Sequence, residues 1–368
     1  MGAAGSRGGN SGDRADRVIR ESNLDGENMH KCFIAIVTVV FFAFALEAQV
    51  EQPLKLIRSI PLLGLHDGDF DHFALDHEGQ WLFLAAEDDS AVEVVNLHSN
   101  TVAKTIKCYE KPHSMAYRSD LKKLFVVEGD EPAGDVEIFQ GDSFEPAGRI
   151  QLAPNADSSI YDPSTKYMYV VNGGKGAHMA ESFISVIDTT NSTKLADIKI
   201  DSDSVQAMAI EKSGPRMFAN LVGKSTVAVI DREKRIVIAT WPLGQEDKEN
   251  TALAFDEANH RLFVFARNPG KLIVMDSDSG KIVTTLPCVG QTDDAVYDSA
   301  SKRLYVAGVP FVYVFEERNP NFYKLLGEIP TAFHSVTSIL VPEQKQFYLA
   351  VPHHGDTEAK VQIYEIVR

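Results

Sequence analysis

The chain has 368 residues, 44% hydrophobic and 24% charged, an ordinary globular balance that excludes wholesale disorder and allows a sizeable core. Its formal charge is −16, from 36 basic and 52 acidic side chains, and no stretch concentrates Lys and Arg, so nucleic acid is not an expected partner. Length alone admits two average domains, but repeat folds run long as single units, so periodicity has to decide.

In chain order, residues 1–28 are rich in Gly, Arg, Asp and Asn and lack apolar periodicity. They read as a disordered extension, with translation expected to start at Met29. Residues 29–48 read as a secretory signal peptide: His30 and Lys31 precede an apolar run of 15 residues, Cys32 to Leu46, and Ala43, Ala45 and Ala48 offer cleavage positions. The run is short for a spanning helix, so the expected product is exported (periplasmic or secreted), with no stable membrane insertion after cleavage. Residues 52–368 are then one domain, expected as a monomer.

That domain repeats. A small or apolar residue, an apolar or aromatic one and usually an acid recur as Ala74-Leu75-Asp76, Ala116-Tyr117-Arg118, Ile160-Tyr161-Asp162, Ala209-Ile210-Glu211, Ala254-Phe255-Asp256, Val296-Tyr297-Asp298 and Leu340-Val341-Pro342. The intervals are 42, 44, 49, 45, 42 and 44 residues, which is propeller-blade spacing. After each anchor comes a second strand with an aromatic at its centre: Phe83, Phe125, Tyr169, Phe218, Phe263, Tyr305 and Tyr348. A ring at that register suits the space between facing sheets. Third strands follow and several end in an acid, as at Asp188, Asp231 and Asp276, ahead of a turn into a fourth strand. In Asp276-Ser277-Asp278-Ser279-Gly280 the acid caps amides and the glycine takes positive φ, a place that Asn100 fills in the first repeat.

The seventh repeat has no fourth strand, because the chain ends just after Val361 to Ile366. Lys55-Leu56-Ile57-Arg58-Ser59-Ile60-Pro61 matches the sixth repeat's Lys324-Leu325-Leu326-Gly327-Glu328-Ile329-Pro330 and stands before the first anchor. The expected fold is therefore all-β, a seven-bladed β-propeller of four-stranded antiparallel blades, closed by an N-terminal strand that completes the last blade. Cys108 and Cys288 fall at the same place in repeats one and five, too far apart in a ring of seven to pair, and are expected as buried free thiols.

At Tyr169-Val170-Val171-Asn172 and Tyr305-Val306-Ala307-Gly308 the second strands resemble the YVTN-type repeat of exported, YncE-like propellers. The resemblance covers the chain from about Leu54 onward and implies the propeller fold. It transfers no functional residue, since a shared fold does not carry a shared reaction.

Loops joining strand four to strand one, and strand two to strand three, open on one face of a propeller, the default place for a ligand. The residue five places before each anchor's last position is Asp71, His113, Asp157, Gln206, Thr251, Asp293 and Thr337, polar in all seven repeats. These, with Asn172 in the glycine-bearing loop to Glu181, are the expected ligand-binding residues at the channel mouth. Of ten histidines beyond the signal peptide, seven fall on the same face, His178 among them. The remaining six (His66, His72, His113, His334, His353 and His354) lie in blades seven, one and two together with Asp71, and their imidazole and carboxylate groups suit a divalent transition metal. Scattered imidazoles bonded to loop backbone would give the same pattern. No nucleophile elbow or phosphate loop is present. Two functions follow: a binding module for a small polar ligand or an exported protein, or a metal-assisted hydrolase, lactonase-like, built on the His and Asp cluster.

Overall fold

The computed structural model describes residues 52–76, 78, 80–130 and 132–367, so the expected extension and signal peptide, and His77, lie outside the described residues. Seven four-stranded antiparallel sheets follow one another along the chain. Blade 1 is Phe70–Leu75, Trp81–Ala86, Ala91–Asn96 and Thr101–Lys107, from channel to rim, and blades 2 to 6 repeat that order. Blade 7 takes three strands from the C-terminal end, Ser338–Val341, Gln346–Val351 and Lys360–Ile366, and its outer strand from Leu54–Pro61. The expected propeller and its closure are both present.

Local chemistry accounts for the turns. Asp76, Asp162 and Asp298 at the ends of inner strands accept the amides of Glu78, Ser164 and Ala300 at 2.9–3.1 Å, closing the first turn of each blade. At the third turn Asp276 accepts the Ser279 amide at 3.0 Å, and Gly280 takes φ 70° where Asn100 takes φ 55° in blade 1.

The core is a set of wedges between blades. All seven second-strand aromatics are at most 1% exposed. Phe83 of blade 1 packs among Met115, Leu124 and Phe139 of blade 2, and the pattern repeats around the ring to Tyr348 of blade 7, which packs among Phe73 and Leu82 of blade 1. Cys108 and Cys288 are free and half-buried, and burial pushes both thiols far above their ordinary range, so neither is a ready nucleophile.

Closure rests on the pairing of Leu54 with Ile366 through Pro61 with Lys360, interrupted by one bulge between Leu56 and Arg58. Leu54, Ile60 and Leu62 are buried by it, each at about 1.5–3 kcal/mol. Deleting residues 52–62 is therefore expected to lower the midpoint of thermal unfolding by roughly 10 °C or more. An unchanged midpoint would refute the closure.

Candidate functional site

Inner strands start at the channel, and in four blades they start irregularly. The ladder between first and second strands breaks between Phe70 and Phe73, Pro112 and Met115, Val205 and Met208, and Asn250 and Leu253. Such breaks release residues from regular pairing and re-aim their side chains. They fall at Asp71 and His72, His113, Gln206 and Thr251. In blades 3, 6 and 7 the inner strand begins only at Ser159, Ala295 or Ser338, so Asp157, Asp293 and Thr337 precede it.

Six of the seven expected blade-start residues, Asp71, His113, Asp157, Gln206, Thr251 and Asp293, line one cavity of about 490 Å³ at the channel mouth. Thr337 is not on its wall; it is buried and its hydroxyl donates to the Phe70 carbonyl at 2.9 Å, linking blade 7 to blade 1. Thr251 donates likewise to the Thr292 carbonyl of blade 6 at 2.7 Å, and Ser114 to the Asp157 carbonyl of blade 3. Asn172 lies inside blade 3, where its amide donates to the Val170 carbonyl and to Ser185 Oγ. A register counts positions along a strand and does not say which way a side chain turns, which is why Thr337 and Asn172 fall away from the cavity.

His113 Nδ1 stands 2.8 Å from Asp71 Oδ2, and its Nε2 is 2.8 Å from the Gly129 carbonyl. The far Asp71 oxygen, Oδ1, is 3.3 Å from His72 Nε2, while His72 Nδ1 reaches Asp294 Oδ1 of blade 6 at 3.0 Å. Gln206 Nε2 donates to Asp157 Oδ2 at 3.1 Å. One ligand atom from each of Asp71, His113 and Asp157 lies within 4.8 Å of the other two. Among the described residues no other such group of three forms.

The other residues expected to hold a metal separate. His66 is exposed and bonds Asp89 at 2.6 Å, His334 bonds Asp69 at 2.7 Å, and His353 pairs with Asp67. His334 and His354 stack on the two sides of Phe333, with ring centroids 4.0 and 3.9 Å from it. Proximity in blades seven, one and two is therefore real, but a separate Asp serves each of His66, His334 and His353.

Glu87, Arg267 and the Gly129 carbonyl belong to the mouth and were not found from the sequence. Glu87 and Arg267 sit where second strands give way to the next loop, a position that opens on the same face. Arg267 pairs with Asp293 and donates to the Thr292 carbonyl at 3.0 Å. The loop after Asn172 is ordered: Lys175–Ala177 forms a 3-10 turn, and the Lys175 amide donates to the Asp203 carbonyl at 2.6 Å. It walls a second cavity of about 610 Å³ that shares Asp157, Ser204 and Gln206 with the mouth.

The charges are strongly coupled. Burial would lower the His113 pKa, but the Asp71 hydrogen bond and the charges of Asp157, Asp71 and Glu87 raise it to about 10. Burial opposes His72 in the same way, and Asp71 and Asp294 overcome it. Burial acts to raise Asp71, yet the two imidazoles hold it below the usual carboxylate range. Asp157 is pushed up by burial and by Asp71, and burial lifts Asp293 to about 6 in spite of Arg267.

No protein-family model matches the chain, and no curated protein matches it. The solved structures similar to it include two β-propellers. One is a chain of the Kuenenia stuttgartiensis hydrazine synthase, with TM-score 0.64 and 17% identity over 78% of this chain and 95% of that one. The other comes from the crystal structure of a mitotic checkpoint complex, with TM-score 0.70 and 14% identity over 87% of this chain and 94% of that one. Likeness at these identities shows the β-propeller fold and no shared chemistry.

Raised imidazoles and raised acids act in one direction on stability. His113 contributes fully below its ordinary value of 6.5 and loses that contribution as pH climbs through about 10, while the penalty for ionising Asp293 builds from the ordinary carboxylate range to about 6 and is constant above it. Asp71 acts oppositely, contributing at neutral pH and failing on acidification below the usual carboxylate range. Thermal midpoints are expected to fall between pH 7 and pH 10, and to fall less in His113→Gln. Parallel profiles for the two proteins would contradict the coupling.

Proposed function

We propose that this protein is a binding module whose channel mouth takes a small polar ligand bearing a positive charge or several hydrogen-bond donors. The observation that carries the reading is the convergence of six polar blade-start residues, from six different blades, on one cavity of about 490 Å³. That volume holds a small molecule. Asp157 and Glu87 are carboxyls whose ionised forms are disfavoured by burial, so an entering cation would offset that cost. The YVTN-type tetrapeptides and the reading of residues 29–48 as a signal support an exported member of that propeller group, meeting its ligand outside the cytoplasm. The mouth is concave rather than flat, which favours a small ligand over a docked protein.

A thermal-shift screen of amino acids, polyamines and sugars, followed by calorimetry on the best binder, tests this. Asp157→Asn should weaken that binder tenfold or more, since a hydrogen bond to a charged group contributes about 1.5–3 kcal/mol. Equal affinity in both proteins would remove the mouth as the site.

The second reading is lactone or ester hydrolysis at the same mouth, favoured by the grouping of Asp71, His113 and Asp157 beside open space. It requires turnover of a lactone or ester panel in the presence of added divalent ions, abolished in the His72→Ala/His113→Ala double variant. Turnover that survives in that variant would exclude the cluster as its source.

A further inference from the structure

We infer that Asp71, His113 and Asp157 form a three-ligand site for one borderline divalent metal ion, zinc in class, with its remaining coordination positions open to the mouth cavity. The inference rests on the mouth being the ligand site and names the ion through which a polar ligand would be held.

The donors are one imidazole nitrogen and two carboxylate oxygens, a set that suits zinc and its neighbours. Around an ion bound at about 2.0–2.2 Å, neighbouring ligand atoms stand roughly 3–3.5 Å apart. Here His113 Nδ1 and Asp71 Oδ2 are 2.8 Å apart and the whole group lies within 4.8 Å, so the separations present bracket those one ion requires.

Each ligand also has its second polar atom held from outside, which separates this group from a chance meeting of charges. His113 Nε2 is fixed on the Gly129 carbonyl at 2.8 Å, Asp157 Oδ2 accepts from Gln206 at 3.1 Å, and Asp71 Oδ1 faces His72 Nε2 at 3.3 Å. That leaves Nδ1 of the imidazole and one oxygen of each carboxylate for the ion. An outer partner on each ligand is the usual construction of protein metal sites. Gly129 serves two of the three ligands. Its carbonyl orients His113, and a Cβ there would come 2.0 Å from the Ala156 carbonyl oxygen, next to Asp157, so only glycine lets this strand approach the connector that carries Asp157 so closely.

The rim histidines are not part of this set. Aspartates other than Asp71 already engage His66, His334 and His353, and His354 is committed to the Phe333 stack. The ligands come from blades 1, 2 and 3, one position each, so the site exists only at the channel.

Full-length protein stripped with a chelator and titrated with zinc should bind one ion per chain. Asp157→Asn and His113→Ala should each abolish saturable binding. Gln206→Ala, which leaves all three ligands in place, should weaken it 10- to 100-fold. Thermal unfolding of each variant separates loss of the site from loss of the fold, and Gln206→Ala keeps the inference testable should a ligand variant fail to fold. Stoichiometry well below one, or equal affinity in the wild type and Gln206→Ala, would overturn it. Zinc stoichiometry well below one, together with an organic ligand that binds the chelator-treated protein and loses affinity in Asp157→Asn, would end the metal while leaving the mouth intact as a binding site.

Discussion

The ring that carries the mouth is closed by the pairing of Leu54–Pro61 with Lys360–Ile366. A sheet that curves into a ring must end on itself or leave two edges open, and open edges are sites of aggregation. Here the last sheet is made from both ends of the domain, so neither end can leave without exposing the wedge between blades 7 and 1. The same join brings His334 to Asp69 across 265 residues and His353 to Asp67 across 286. Those ion pairs follow from the ring and could not assemble before it.

Closure also explains why the channel is held by side chains as well as by ladders. Neighbouring blades share no strand pairing, so their inner ends would be joined by apolar packing alone. Hydroxyls of Ser114, Thr251 and Thr337 instead donate to carbonyls of the next blade, and Gln206 and His113 reach back to Asp157 and Asp71. Buried hydrogen bonds of this kind fix register where nonspecific packing would tolerate slippage. The mouth is therefore a rigid rim, and rigidity limits the entropy lost when a ligand binds.

The fold was legible in the sequence because a blade advertises itself many times. Seven central aromatics, seven anchors and a matching pair of outer-strand segments all report one period, and each is enforced by burial, as the 1% exposure of Tyr169 or the buried face of Ile60 shows. The site was legible only as far as it shares that period. Counting five back from each anchor found Asp71, His113, Asp157, Gln206, Thr251 and Asp293, because irregular strand starts recur at the same place. It misplaced Thr337, and the glycine-bearing loop misplaced Asn172; both positions fit the face, but the side chains turn to backbone and to Ser185. It missed Arg267 and the Gly129 carbonyl, since a backbone oxygen leaves no mark in a sequence and a lone arginine carries no period.

Histidine placement shows where chemistry escapes a one-dimensional reading. Six imidazoles gathered on three neighbouring blades look like one metal site until the aspartates are counted. Asp67, Asp69 and Asp71 alternate along one short segment and face different partners: blade 7 takes the first two and blade 2 the third. Among the described residues, only at Asp71 does a second carboxylate, Asp157, approach the same imidazole so that three donor atoms lie within 4.8 Å of one another. A carboxylate that already saturates its histidine makes an ion pair; two carboxylates on one histidine leave an excess of negative charge, which protonation relieves in part and a bound cation would relieve further. At His113 a proton supplies part of that relief in the free protein, as the upward shift of that imidazole indicates. The position of that excess, open to a cavity rather than closed by packing, is what distinguishes the mouth from the rim.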